Sequence, residues 1–167
     1  MGPKTTENLK AAFAGESQAH MKYLVFSDKA EKEGFGNIAR LFSAISFAER
    51  VHASAHHNVV FGIKSTASKL ETALGGENYE VETMYPAFRD AAEKEGEKGA
   101  LATIRFAFEA EKIHAKLYAR AKDAVASGKD LPIGEIHICS VCGHTTVDGA
   151  PDSCPVCGAE KGKYRKF

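Results

Sequence analysis

Apolar residues recur every three or four positions up to about residue 127, which is the period of an amphipathic helix. Gly34, Gly62 and Gly96 interrupt this pattern where helices are expected to end. The pattern predicts a mainly α fold with four helices, over about residues 9–33, 38–61, 77–95 and 98–126. The C-terminal stretch has turn residues and no helical period, so we expect two domains, residues 1–130 and 131–167.

The connection between the second and third helices is predicted to cross the bundle. Residues 63–76 are long enough to do so, with a short helix expected from Ser68 to Leu74. Pro86 falls inside the third helix and is expected to kink it, because proline lacks the backbone N–H.

The two halves of the helical region repeat each other, with one extra residue between Glu77 and Gly96 in the second half. The repeated residues include Glu16, Glu49 and His52 in the first half, and Glu77, Glu111 and His114 in the second. In each Glu-x-x-His pair the two side chains point the same way. They also lie on the apolar stripe, where a carboxylate needs a partner.

Two helical hairpins that each supply Glu and Glu-x-x-His form a carboxylate-bridged two-metal site in a four-helix bundle. Glu80 adds a carboxylate that the first half lacks, since Ala19 stands at the equivalent position. Oxygen-rich ligands with two imidazoles suit iron or manganese rather than copper or structural zinc. A single such pair would instead be interpreted as a solvated ion pair, but two copies favour the dinuclear site.

Four cysteines follow as two Cys-x-x-Cys-Gly knuckles, Cys139 with Cys142 and Cys154 with Cys157. Four thiolates form a tetrahedral site, and spacing alone does not separate zinc from iron. Beside a two-iron bundle, an electron-transferring iron is favoured over a structural zinc ribbon. Clustered cysteines favour metal over disulfides in a reducing compartment, so we expect a cytoplasmic protein.

The charge is balanced, with 22 basic and 22 acidic residues, which gives no electrostatic reason to expect nucleic acid or an anionic membrane as partner. No apolar run approaches the roughly 20 residues that span a bilayer, and no N-terminal signal segment is evident.

These motifs together resemble the rubrerythrin family over essentially the whole chain. The resemblance is carried by residues 12–19, Glu-Arg-x-His at 49–52, residues 76–80, Met-Tyr-Pro at 84–86, residues 110–114 and the two knuckles. It implies a ferritin-like di-iron four-helix bundle with a rubredoxin-like domain. It also implies a peroxidase that reduces hydrogen peroxide to water in oxidative-stress defence. Electrons would pass from an external donor, a rubredoxin or an NAD(P)H-linked reductase, through the Cys-bound iron.

The resemblance also assigns roles to the ligands. Glu49 and Glu111 would bridge two iron ions, and Glu16 and Glu77 would be terminal ligands. His114 would hold one iron permanently.

The other iron would move between His52 and Glu80 as the redox state changes. Tyr23 and Tyr85 are candidate hydrogen-bond donors next to the ligands, or else core aromatic residues.

Two other functions remain open, a ferritin-like ferroxidase or iron store, and a metal-buffering or interaction module with a zinc-ribbon tail. The fourth helix continues roughly 20 Å beyond His114, so the tail is expected to lie far from its own chain's di-iron site. We therefore expect a homodimer, head-to-tail or domain-swapped, in which each tail serves the partner.

Overall fold

The computed structural model describes all 167 residues and is mainly helical, as predicted. Its helices are α1 (Pro3–Lys32), α2 (Gly36–Phe61), α3 (Thr66–Tyr79), α4 (Tyr85–Glu95) and α5 (Lys98–Ala126). A π-helical turn, Glu80–Met84, joins α3 to α4. Three short strands follow, β1 (His137–Cys139), β2 (Thr145–Thr146) and β3 (Tyr164–Lys166), with a 3-10 turn at Lys161–Lys163. No helix is both long and apolar enough to cross a membrane.

The chain divides into two compact units, Met1–Lys64 and Ser65–Phe167. The N-terminal unit is the α1–α2 hairpin. The C-terminal unit contains α3, the π turn, α4, α5 and the three-stranded sheet. The sheet has the strand order β2-β1-β3, and both strand pairs are antiparallel.

A buried polar contact between Ser46 and His20 helps to fix the register of the N-terminal hairpin. Ser46 is completely buried and donates its hydroxyl proton to the carbonyl of His20 at 2.9 Å. The His20 ring in turn lies 2.9 Å from the Ser46 carbonyl and 2.8 Å from its hydroxyl, through Nδ1. Because these partners are 26 positions apart, the contact holds α1 against α2. His20 therefore has a packing role.

The connection between α2 and α3 is much shorter than predicted. Ser65 caps α3 by accepting a hydrogen bond from the backbone N–H of Ser68 at 3.3 Å, so α3 begins at Thr66. Gly75 and Gly76 do not break the helix. The prediction of a crossing segment over residues 63–76 is therefore wrong, and only residues 62–65 link the helices.

The π turn accounts for the extra residue in the second repeat. The backbone N–H of Tyr85 bonds to the carbonyl of Glu80, an i to i+5 pattern that accommodates one additional residue in a helix. Pro86 follows at the start of α4, where the missing N–H is tolerated. The third helix is thus distorted near Pro86, but the distortion is a π turn that begins at the candidate ligand Glu80.

The small sheet packs on α5. Phe106 lies against the buried cluster of Cys139, Cys142 and Cys154. Gly143 lies close to α5, since a β-carbon placed on it would be 3.8 Å from the β-carbon of Ala110. The prediction that the tail leads away from the fourth helix is therefore wrong, because the chain turns back within its own C-terminal unit.

Candidate metal centres

The N-terminal unit brings Glu16, Glu49 and His52 together, with one ligand atom of each within 4.8 Å of the others. We call these residues the N-terminal triad. His52 Nδ1 lies 3.4 Å from Glu49 Oε2. A hydrogen bond shared between the two carboxyl groups raises the pKa of Glu16 and lowers that of Glu49. A cation bound between the two carboxyl groups would neutralise both of them.

The C-terminal unit repeats this arrangement with Glu77, Glu111 and His114, the C-terminal triad, again within 4.8 Å. His114 Nδ1 lies 2.6 Å from Glu111 Oε2. Burial and the neighbouring Glu111 raise the pKa of Glu77 to about 8. The α3 carboxyl therefore holds a proton near neutral pH until a cation replaces that proton.

Glu80 stands at the start of the π turn and is not one of the three clustered residues, but it acts electrostatically on Glu77. Burial and the charge of Glu111 raise the pKa of Glu80. Burial and the neighbouring carboxylates, Glu80 first among them, also raise the pKa of Tyr85. Tyr85 is thus within electrostatic range of these carboxylates, and its ring packs near Phe88 with centroids 6.3 Å apart.

Tyr23 has a different environment from Tyr85. Its ring packs near Phe26 and Phe42, with ring centroids 6.1 and 6.2 Å apart. This environment is that of a core aromatic residue, which was one of the two roles considered for it.

The two triads and Glu80 fit a pair of iron ions. The donor set has five carboxylates and two imidazoles, and oxygen with imidazole nitrogen is a set that iron accepts. Burial and a neighbouring carboxyl group raise the pKa values of Glu16 and Glu77, and the positive charge of a metal pair would relieve this repulsion.

The four cysteines converge as predicted. The Sγ atoms of Cys139 and Cys157 are 3.7 Å apart, and those of Cys142 and Cys154 are 3.5 Å apart. A tetrahedron with metal–sulfur bonds of about 2.3 Å has edges of about 3.8 Å. The thiols are free, and these distances fit one Cys-bound iron.

Each cysteine knuckle closes on a glycine with a positive φ angle. Gly143 has a φ of 78° and donates to the Cys139 carbonyl at 2.9 Å. Gly158 has a φ of 76° and donates to the Cys154 carbonyl at 2.8 Å. Glycine reaches this left-handed conformation without strain, which explains why it follows each pair.

Tyr164 acts on one of the four thiols and in turn contacts His144. Burial raises the pKa of Cys154, but hydrogen bonds from Tyr164 and from backbone N–H groups outweigh it and lower the pKa to about 6. The Tyr164 hydroxyl also lies 2.7 Å from His144 Nδ1.

Family models match both parts of the chain. The rubrerythrin model matches residues 7–122, and the model of the rubrerythrin, rubredoxin-like domain matches residues 137–165. The chain belongs to the rubrerythrin family. The resemblance inferred from the motifs is therefore confirmed. Family membership identifies the protein as a di-iron oxidative-stress protein related to oxidoreductases.

Rubrerythrin relatives align along almost the full length. Rubrerythrin-2 of Clostridium acetobutylicum is 41% identical, with 98% of this chain and 96% of the relative covered. Nigerythrin of Nitratidesulfovibrio vulgaris is 33% identical, with 98% and 86% covered. The structure of fully reduced, all-ferrous nigerythrin matches with a TM-score of 0.55 at 33% identity, covering 100% of this chain and 88% of the other. These matches confirm the predicted fold class.

Sequence reasoning named every member of the two triads but missed Thr145, whose hydroxyl lies 2.8 Å from His114 Nε2. The two residues are 31 positions apart, and no periodic pattern connects a turn-rich tail to a helix. Only the fold could reveal this contact.

Proposed function

We propose that the protein is a hydrogen-peroxide reductase that uses a di-iron site. Each turnover takes up one peroxide, two protons and two electrons, and releases two water molecules. The two iron ions would supply one electron each, and the Cys-bound iron would restore them singly. An external rubredoxin or NAD(P)H-linked reductase would supply electrons to the Cys-bound iron.

The observation that best supports this function is the position of the cysteine site on α5. Phe106 and Ala110 contact the knuckles, and Glu111, a proposed bridging ligand, follows directly after Ala110. A redox-active centre beside metal ligands serves repeated electron delivery. A ferroxidase or iron store has no need for such a centre.

The ligand roles belong to this proposal. Glu49 and Glu111 would bridge the metals, with Glu16 and Glu77 as terminal ligands. His114 would be a constant ligand of one iron.

The second iron would alternate between the remaining two ligands, His52 and Glu80. Tyr85, whose pKa is raised by burial and by the carboxylates of the C-terminal unit, would donate a hydrogen bond at the site. The proposed rubredoxin-like domain comprises residues 131–167, and we propose a cytoplasmic location.

Assembly follows from the short connection between α2 and α3. Ferritin-like bundles have one long crossover, because their second and third helices run parallel. The ligand level on α2, at Glu49, lies 12 residues before Phe61, and Glu77 lies 11 residues after Thr66. At 1.5 Å per residue, a crossover within one chain must span about 35 Å.

Residues 62–65 are too short for that span. The five steps from Phe61 to Thr66 reach about 18 Å when fully extended. We infer that each di-iron site combines the N-terminal triad of one chain with the C-terminal triad of a second copy. Of the two dimers considered from the sequence, the domain-swapped one fits the short connection. In it, each tail lies beside the C-terminal triad of its own chain, not beside that of the partner as expected from the sequence.

Stopped-flow absorbance tests the proposed peroxidase. Dithionite-reduced protein loaded with three irons per chain is mixed anaerobically with hydrogen peroxide, and the visible band of oxidised iron–cysteine is followed. We expect the band to return within seconds. A return that is no faster than the return driven by dissolved oxygen, or one zinc per chain at the cysteines in native protein, would contradict the proposal.

A further inference from the structure

Thr145 connects the cysteine domain to a proposed iron ligand. It lies on β2 with 4% of its surface exposed. Its hydroxyl oxygen lies 2.8 Å from Nε2 of His114 and 3.1 Å from the carbonyl oxygen of Gly143. One buried hydroxyl therefore contacts both the ligand on α5 and the backbone of a cysteine knuckle.

Counting protons assigns the direction of these two hydrogen bonds. A threonine hydroxyl has one proton to donate and can accept, whereas a carbonyl oxygen only accepts. Thr145 therefore donates to Gly143 and must accept the Nε2 proton of His114. Nδ1 of the ring lies 2.6 Å from Glu111 Oε2, so a hydrogen bond joins them in metal-free protein, and a metal ion that displaces its proton would take the Nδ1 lone pair.

The equivalent histidine of the N-terminal unit has no such partner within that unit. His52 contacts Glu49 at 3.4 Å through Nδ1, and 56% of its side chain is exposed. The corresponding exposure for His114 is 29%. The repeat is thus asymmetric, because only the C-terminal triad has a histidine that is held by a hydrogen bond at Nε2.

The same two hydrogen bonds form a short route between the metal centres. Cys142 is joined to Gly143 by one peptide bond, and the Gly143 carbonyl accepts from Thr145. Thr145 in turn accepts from the His114 ring, whose other nitrogen faces the di-iron position. Bonded and hydrogen-bonded atoms transmit an electron better than a gap through space does.

We propose that Thr145 is a positioning residue that fixes His114 with its proton on Nε2 and completes the electron route from Cys142 to the di-iron site of the same C-terminal unit. The fixing of the proton on Nε2 is independent of the proposed peroxidase, whereas the electron route rests on it.

Proton and nitrogen NMR of metal-free protein tests for the Nε2 proton of His114. We expect the Nε2–H signal to be present and to exchange slowly with solvent in the wild type and in Thr145→Ser, and to exchange rapidly in Thr145→Val. Thr146→Val is the matched control, since the Thr146 hydroxyl instead contacts the Gly149 carbonyl at 3.4 Å. A wild-type ring without a proton on Nε2, or equally slow exchange in Thr145→Val, overturns the assignment.

Two measurements test the consequences of this positioning role: the affinity for ferrous iron and the rate at which the Cys-bound iron is reoxidised. Loss of a group that orients a ligand typically weakens metal binding or activity by about 10-fold to 100-fold. We expect Thr145→Val to weaken ferrous binding and slow peroxide-driven reoxidation of the Cys-bound iron by that factor, while the visible spectrum of that iron is unchanged. Thr145→Ser should restore both.

The two proposals fail in different ways. If wild-type protein does not react with peroxide, the proposed function fails and the NMR result still decides whether Thr145 holds the Nε2 proton. If wild-type protein reacts and Thr145→Val reoxidises its Cys-bound iron equally fast, the electron route is wrong.

Discussion

The raised pKa of Glu77 shows how the fold changes the protonation of a proposed ligand. Its pKa is raised to about 8 by burial and by Glu111, so the folded metal-free protein holds a proton that the unfolded chain releases near pH 4.5. The folded state therefore binds more protons than the unfolded state between these two values. Stability contributed by this proton is complete below about pH 4.5 and is lost as pH rises toward 8.

We predict that the free energy of unfolding of metal-free protein falls between about pH 5 and pH 8. Glu77→Gln, which has nearly the same shape and no titratable proton, should flatten this fall. The measurement is urea unfolding at a series of pH values. The same slope in both proteins would contradict the raised pKa of Glu77.

The residue types and their spacing predicted which Glu and His side chains cluster, because Glu-x-x-His repeats identify one helix face without knowledge of the fold. The environment of each ligand was not predictable from spacing. Thr145 approaches His114 only after the tail folds back on α5, and Tyr23 and Tyr85 look alike in sequence. The structure places Tyr85 near carboxylates and Tyr23 against phenylalanines.

At the level of the helices, the sequence revealed one extra residue in the second repeat, but not the form that it takes. The π turn at Glu80–Met84 absorbs it, and Glu80 begins that turn. The crossover was mispredicted because the third helix was expected to begin only at about Glu77, after Gly75 and Gly76. The Ser65 cap starts the helix earlier, and the two glycines remain within it.

The short connection leads to a prediction about chain length. Inserting about 16 Gly/Ser residues between Ile63 and Lys64 would let a connection span the roughly 35 Å needed within one chain. We expect part of this variant to be an active monomer. Sedimentation would separate monomer from dimer, and each species would then be assayed with peroxide. An insertion of about four residues is the control, because it remains too short. An inactive monomer in the long variant would argue against a di-iron site shared between two chains.

For the whole molecule, the N-terminal unit presents apolar surface beside its ligands. Ile38, Leu41 and Ile45 are 47%, 60% and 42% exposed, and they lie on the α2 stripe that continues to Glu49. An apolar face of this kind beside a metal triad marks a surface that another element covers. In our proposal, the C-terminal unit of the partner covers it.

Charges on this stripe should weaken the dimer. We predict that Leu41→Asp or Ile45→Asp shifts the protein toward monomer and lowers peroxide turnover by at least about 10-fold, since a charge would be buried without a partner. Val51→Asp is the comparison, because Val51 is equally exposed but lies about 120° around α2 from Ile45. Equal effects of all three substitutions on sedimentation would contradict the assigned face.

The central claim is that two chains build each di-iron peroxidase site, and mixing two inactive variants tests it most directly. Glu49→Ala disables the N-terminal triad, and Glu111→Ala disables the C-terminal triad. Two affinity tags allow the hybrid dimer to be purified. In an exchanged dimer, one of its two sites combines two intact triads, whereas the other combines two disabled ones.

The assay is reoxidation of the Cys-bound iron after mixing with hydrogen peroxide. We expect each variant alone to be inactive and the hybrid to recover about half of the wild-type amplitude. A hybrid dimer that forms but shows no recovery would mean that each site is built within one chain.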